Sequence, residues 1–253
     1  MERFLSELEA LRGVVLKPLL LFFAVSAALL LLGRGEITVG GLRLAAPSPG
    51  APTFATEIFL SAKSYLLPQG VSLVALGPVS VFIAPMVMAF LLSLLVTLPY
   101  LLYSLEAYFR PALYPKERAV MYRFMLPALI LFYLGSAFGY FFIIPKTFSI
   151  LYSFAAPIGV TPFFSLDSFI SSVFLLTVSI GAIFLLPVVM VLLTRLSIIP
   201  HEWWLKHWRV ALFVSLIFCA AITPDGSGVT MVFLFIPLTL LYGTGAVLSG
   251  KNP

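Results

Sequence analysis

A crowded polar stretch runs from Pro99 to Arg118, and it holds the side chains best suited to recognition. Tyr108, Phe109 and Tyr114 offer aromatic faces, Pro111 and Pro115 interrupt the chain on either side of Leu113, and Lys116-Glu117-Arg118 adds a charge cluster. Proline is pre-set for the first residue of a helix, so Glu117 is expected in the first helical turn, where the backbone dipole favours a negative charge. A carboxylate there either pairs locally with Arg118 or Arg123, or is held ready for an incoming cation with the aromatic rings as stacking faces. The rest of the chain is poor in chemistry. There is no nucleophile–base pair, no Cys/His spacing suited to a metal and no glycine-rich phosphate loop. His201 and His207 lie among Trp203, Trp204 and Trp208, a mixture that suits a membrane interface better than a metal site. No enzyme activity, metal or cofactor is therefore expected.

The elements that must position this stretch are membrane helices. Of 253 residues, 61% are apolar and only 10% charged, against about a quarter charged in a soluble domain. Apolar runs of about 20 residues, rather than alternating ten-residue segments, give an all-α membrane protein and not an outer-membrane barrel. A single integral membrane domain over residues 1–253 is expected, with six transmembrane helices at about 14–32, 79–102, 124–144, 169–194, 210–222 and 229–248, the last two short. Residues 1–12 place Phe4, Leu5, Leu8 and Leu11 on one face, as in an interfacial helix running into the first span. Their three glutamates and the length of the apolar run that follows speak against a cleaved signal peptide.

Lys17-Pro18 is expected near the start of the first span, and Pro145-Lys146 at the end of the third. Pro85 and Pro99 should kink or end the second span, and Pro187 lies inside the fourth. Residues 33–78 and 145–168 form an outer cap, in which 56–67 reads as a short helix on the membrane surface and Leu166-Asp167-Ser168 as a helix cap. The small hydroxyls within the spans (Ser93, Thr97, Ser136, Thr177, Ser179, Ser215, Thr239) are expected to bond to helix carbonyls or to a neighbouring helix.

Sidedness follows from the basic residues. With the N-terminus inside, only Arg34, Arg43, Lys63 and Lys146 of the 15 Lys and Arg fall outside. Both termini are therefore cytoplasmic, and so is the Pro99–Arg118 stretch. No ionisable residue lies in the apolar centre of a span as drawn, which argues against a small-solute secondary carrier. A membrane scaffold with no recognition activity is the other alternative.

The same stretch carries a resemblance. Leu98-Pro99, Tyr103 and Tyr108-Phe109-Arg110-Pro111-Ala112-Leu113-Tyr114-Pro115-Lys116-Glu117-Arg118 resemble the first cytoplasmic loop of the TatC family, the multispanning core subunits of the twin-arginine protein translocase. Leu131-Phe132-Tyr133-Leu134-Gly135, Phe138-Gly139-Tyr140-Phe141 and Pro145 continue it through the third span. Asp167-Ser168-Phe169-Ile170-Ser171, Gly181-Ala182-Ile183-Phe184 with Pro187-Val188, Thr223-Pro224-Asp225, Ile236-Pro237-Leu238 and Leu241-Tyr242 follow in order.

The resemblance implies a multi-pass protein of the cytoplasmic (inner) membrane that binds the twin-arginine signal peptides of folded cargo. It further implies TatA- and TatB-like single-span partners, outward passage driven by the proton motive force, surrounding membrane lipids, no nucleic acid, and leaves a homo-oligomer open. Glu117 is at the position of the family's arginine-recognising carboxylate. Glu7, in Phe4-Leu5-Ser6-Glu7-Leu8-Glu9, is at that of a second, within the family's His-Leu-x-Glu-Leu-Arg motif. Tyr108, Pro111, Leu113 and Tyr114 complete the implied peptide site, Pro99, Pro187, Pro224 and Asp225 are structural or coupling positions, and Leu185 and Phe213 are partner contacts. The sequence departs from the family at several points. Leu185 stands where the family has an intramembrane glutamate, Val229 where it has glutamine, Gly243 where it has glutamate and Ala62 where it has a proline.

Overall fold

The computed structural model describes residues 2–33, 35–39, 42–46, 53–68, 70–110, 114–153, 163–223 and 228–250. Side chains are described throughout these except at 2–11, 35–39, 42–46, 109, 115–117 and 229. The described elements are α1 (Glu2–Leu31), β1 (Gly35–Val39), β2 (Leu42–Ala46), α2 (Phe54–Leu66), β3 (Ser72–Val74), α3 (Pro78–Phe109), α4 (Pro115–Phe138), α5 (Ile144–Ser153), β4 (Phe163–Ser165), α6 (Leu166–Phe184), α7 (Leu186–Arg195), α8 (His201–Lys206), α9 (Trp208–Ile222) and α10 (Gly228–Ser249). Among the described residues, five stretches are long and apolar enough to cross a membrane: Arg12–Leu31, Pro78–Tyr108, Arg118–Ser153, Leu166–Arg195 and Thr230–Ser249. Helix α9 is apolar too but has only 15 residues, about 22 Å of helix. Large apolar side chains on these helices are exposed, among them Leu20, Phe82, Leu126 and Leu240, as lipid-facing residues should be.

Two helix ends differ from the expectation. Pro18 lies well inside α1 rather than near its start, because the N-terminal segment and the first span form one helix. Pro145 does not end the third span. A π-helical turn, Gly139–Ile143, precedes it, with the Ile144 amide donating to the Gly139 carbonyl, and the helical path continues as α5.

The chain divides into two compact units, Met1–Leu105 with Phe148–Phe174, and Glu106–Thr147 with Leu175–Pro253. In the first, α2 forms where a short helix was expected. Thr53 caps it, its Oγ1 accepting the Thr56 amide at 3.3 Å, and Ala55, Ala62 and Leu66 form its buried face. Phe148 and Phe169 are buried with their ring centroids 5.7 Å apart, and Phe164 packs on Phe148 at 5.2 Å. Strands β3 and β4 pair in parallel, Ser72 opposite Phe163 and Val74 opposite Ser165. Leu166-Asp167-Ser168 does not precede α6 as a cap but forms its first turn, and the Asp167 carboxylate there accepts the Ser80 hydroxyl at 2.6 Å. Strands β1 and β2 form an antiparallel pair, Val39 opposite Leu42. The sequence carries a signal for it in Gly40-Gly41 between alternating apolar residues.

In the second unit, close packing needs small residues. A Cβ on Gly135 would lie 2.6 Å from Phe184 Cβ, and one on Gly181 would meet Ser136 Oγ and the Phe132 ring, so α4 and α6 approach where only glycine fits. The hydroxyls divide. Thr97, in the first unit, donates to the Ser93 carbonyl, and Ser215, in the second, to the Ala211 carbonyl, at 2.7 Å each, as expected. Ser93 of the first unit and Ser136, Thr177 and Thr239 of the second, however, are buried with no partner for their hydroxyl oxygens among the described residues.

Candidate signal-peptide site

The recognition stretch is built on two helix ends. Helix α3 continues past the hydropathy-defined span to Phe109, with Pro99 inside it. Its last turns carry Tyr103, half exposed, and Tyr108, partly buried. Helix α4 opens on Pro115, as its missing N–H and fixed φ allow, and the Arg118 amide donates to the Tyr114 carbonyl at 3.0 Å. Glu117 therefore sits in the first turn of α4, one of the positions where unpaired amides and the helix dipole support a carboxylate. Tyr114, at the start of this turn, is 75% exposed. Pro111 and Leu113 lie outside the described residues, and the side chain of Glu117 does too. Glu7 is in the second turn of α1, which leads into the first span, and its side chain is likewise outside the description.

The structure adds a carboxylate that sequence reasoning passed over. Glu106 is only 4% exposed, and its two oxygens accept from Arg110, Oε1 from Nε at 3.2 Å and Oε2 from Nη2 at 3.0 Å. This bidentate fork fixes the end of α3 immediately before the undescribed Pro111–Leu113 segment. The four-residue spacing was visible in the sequence; the burial that makes the pair matter was not.

The proposed partner positions fall around a break in the fourth span. Helix α6 ends at Phe184 and α7 begins at Leu186, with Pro187 in the first positions of α7. The Leu185 amide turns to the Ala182 carbonyl at 3.1 Å, a tighter bond than the α-helical pattern, while Val189 resumes that pattern by donating to Leu185 at 3.0 Å. Beside the break is an apolar cavity of about 520 Å³, lined by Leu185, Leu186, Trp203, Trp204, Val214 and Tyr242 among others. Its floor is braced by polar bonds: the Tyr242 hydroxyl donates to the Trp204 carbonyl at 2.6 Å, and Trp204 Nε1 donates to Thr194 Oγ1 at 3.0 Å. Phe213 is 63% exposed and, with Ile217 at 54%, belongs to an outward apolar face of α9, not to the cavity, which α9 lines with Val210, Ala211 and Val214. Pro224 and Asp225 lie outside the described residues.

The family assignment rests on three comparisons. A family model described as "Sec-independent protein translocase protein (TatC)" matches residues 6–237. The chain belongs to the TatC family. The "Sec-independent protein translocase protein TatC" of Cenarchaeum symbiosum is 34% identical over 244 residues, covering 96% of this chain and 92% of that protein. Its namesake in Escherichia coli (strain K12) is 32% identical over 199 residues, 78% of this chain and 76% of that protein. Two solved structures of "Twin Arginine Translocase Receptor- TatC" superpose with TM-scores of 0.75 and 0.77 at 25% identity. They cover 96% and 97% of this chain, and 97% and 100% of their own. The TatC fold is thus a mostly helical multi-pass membrane fold here as well, with five full-length spans and the shorter α9 among the described residues.

Proposed function

We propose that this protein is the receptor and core subunit of a twin-arginine translocase, and that the cytoplasmic segment joining α3 to α4 binds the paired arginines of the signal peptide. Glu117 is the principal carboxylate and Glu7 the second, with Tyr108, Pro111, Leu113 and Tyr114 shaping the surroundings. The observation that carries this reading is the placement of Glu117 in the opening turn of α4, directly after an exposed aromatic ring, in a chain of the TatC family. An arginine fork can engage such a carboxylate through two parallel bonds, whereas lysine offers only a point charge, which accounts for selection of arginine over lysine. Single-span TatA- and TatB-like partners would dock along the break at Leu185 and the outward face of α9. Cargo would then pass outward at the expense of the proton motive force. Residues 33–78 and 145–168 serve as the outer cap.

The test is binding of a fluorescent Arg-Arg signal peptide to the full chain in neutral detergent. Glu117→Ala should weaken binding tenfold or more, in line with the ~1.5–3 kcal/mol of a charge-assisted hydrogen bond. A Lys-Lys peptide should bind the unaltered protein about as poorly. Equal affinity of the unaltered protein and Glu117→Ala for the Arg-Arg peptide removes the assignment.

A further inference from the structure

The cavity beside the break in the fourth span is a groove with a floor and two lips, all within the second unit. Met190 and Tyr242 on its floor are almost fully buried, while Val189 of α7 and Val210 and Val214 of α9 stand about half exposed along its lips. Polar groups in its lining are already bonded within the protein. The Tyr242 hydroxyl donates to the Trp204 carbonyl at 2.6 Å and Trp204 Nε1 to Thr194 Oγ1 at 3.0 Å. His207 Nδ1 donates to the Trp203 carbonyl at 2.9 Å, and Ser215 Oγ to the Ala211 carbonyl at 2.7 Å. A wall of this kind holds water poorly, because a buried water needs about two to four polar partners. It also gives a polar side chain or an anion nothing in return for its desolvation.

Two further features say which apolar group reaches it. Trp203 and His207, stacked with ring centroids 4.5 Å apart, bring the lining up to the tryptophan-rich connection at the cytoplasmic boundary of the bilayer. Ala182, Leu185 and Val214 carry it from there into the apolar spans. Helix α9, which forms one lip, has 15 residues and is about 22 Å long, against a hydrocarbon core of about 30 Å. The bilayer must thin beside it, so neighbouring lipid chains have to tilt or bend. We propose that the groove binds an acyl chain of a phospholipid of the cytoplasmic leaflet, lying over Met190 and Tyr242 between α7 and α9, with the head group at the level of Trp203. Its volume of about 520 Å³ is that of a small-molecule site and too small for a membrane helix about 10 Å across. The chain supplies dispersion contacts that the floor and lips do not make with each other, and so supports the break at Leu185. The inference is independent of peptide recognition at Glu117.

The experiment uses the full chain with Trp203→Phe/Trp208→Phe, which leaves Trp204 as the single tryptophan. It is reconstituted in phosphatidylglycerol vesicles whose acyl chains carry bromine, a contact quencher of tryptophan. Trp204 emission should fall about threefold or more relative to vesicles without bromine, while aqueous iodide leaves it unchanged. Ala182→Phe/Val214→Phe fills the groove and should restore at least half of the lost emission. Val214→Phe alone, at a lip already exposed, should restore part of it and preserves the test if the pair folds poorly. Equal quenching in the filled variants is ordinary bilayer contact and overturns the proposal, as does quenching by iodide, which means water in the groove. An equimolar synthetic single-span helix of a TatA-like protein should leave the bromine quenching in place. Loss of quenching on its addition assigns the groove to a partner helix and overturns the assignment to lipid.

Discussion

Removing Arg110 should harm the protein more than neutralising Glu106, although the two form one ion pair. The reason lies in their unequal exposure, 38% for the Arg110 side chain and 4% for that of Glu106. In Glu106→Gln, the guanidinium can turn into water and the buried amide keeps one hydrogen bond, so the cost should stay near ~1–2 kcal/mol. In Arg110→Met the apolar stem is retained, but the carboxylate is left buried without a counter-charge. Breaking a buried pair from that side costs ~3–5 kcal/mol, and water access at the helix end brings the expectation to ~3 kcal/mol. Glu106→Gln/Arg110→Met should then cost less than Arg110→Met alone, because a neutral amide is cheaper to bury than a charge. The assay is unfolding of each variant in mixed detergent micelles, evaluated as a double-mutant cycle. Losses for Arg110→Met no greater than for Glu106→Gln, or strict additivity in the double variant, would refute the claim that the carboxylate's burial dominates.

Other expectations concern packing. Thr53→Ala removes the cap of α2 and should cost ~1 kcal/mol, seen as about fivefold faster hydrogen exchange of the amides near Glu57; unchanged protection would show that the cap is not limiting. Gly245→Val would place a Cβ 2.6 Å from Met190 Sδ and 3.0 Å from Pro187 Cα, so α10 must move from α7. A loss of ~1–3 kcal/mol is expected for it, with Gly245→Ala milder, and a melting temperature equal to that of the unaltered protein would contradict so close a contact.

Hydropathy locates the parts of helices that meet hydrocarbon, and for that reason it placed the centres of the spans well and their ends poorly. Helix α3 runs on to Phe109 because its backbone bonds continue through Ser104, Glu106 and Tyr108 after the apolar run has ended. Pro145 reads locally as a stop, yet the preceding π turn lets the helix pass it. Pro115 and Pro187 were informative because proline acts on its own turn: one opens α4 and the other marks the break at Leu185. The burial of Glu106 depends on residues remote in sequence and has no local signature. The unpartnered Ser136 and Thr177 hydroxyls also went against local expectation, which favours bonding back to the helix.

The parallel pairing of β3 with β4 has a consequence for how the chain is assembled. Most contacts of a helical protein are local and form quickly, but Ser72 must find Phe163, and Ser80 must find Asp167 across 87 residues of separation. Closing so long a loop carries an entropic cost, and neither contact can form until the intervening helices have emerged from the ribosome and entered the bilayer. The strand pair and the Ser80–Asp167 bond are therefore late events, completed only once α6 has started. Their closure marks the point at which the first unit becomes a finished body, and a chain truncated before Phe163 cannot reach it.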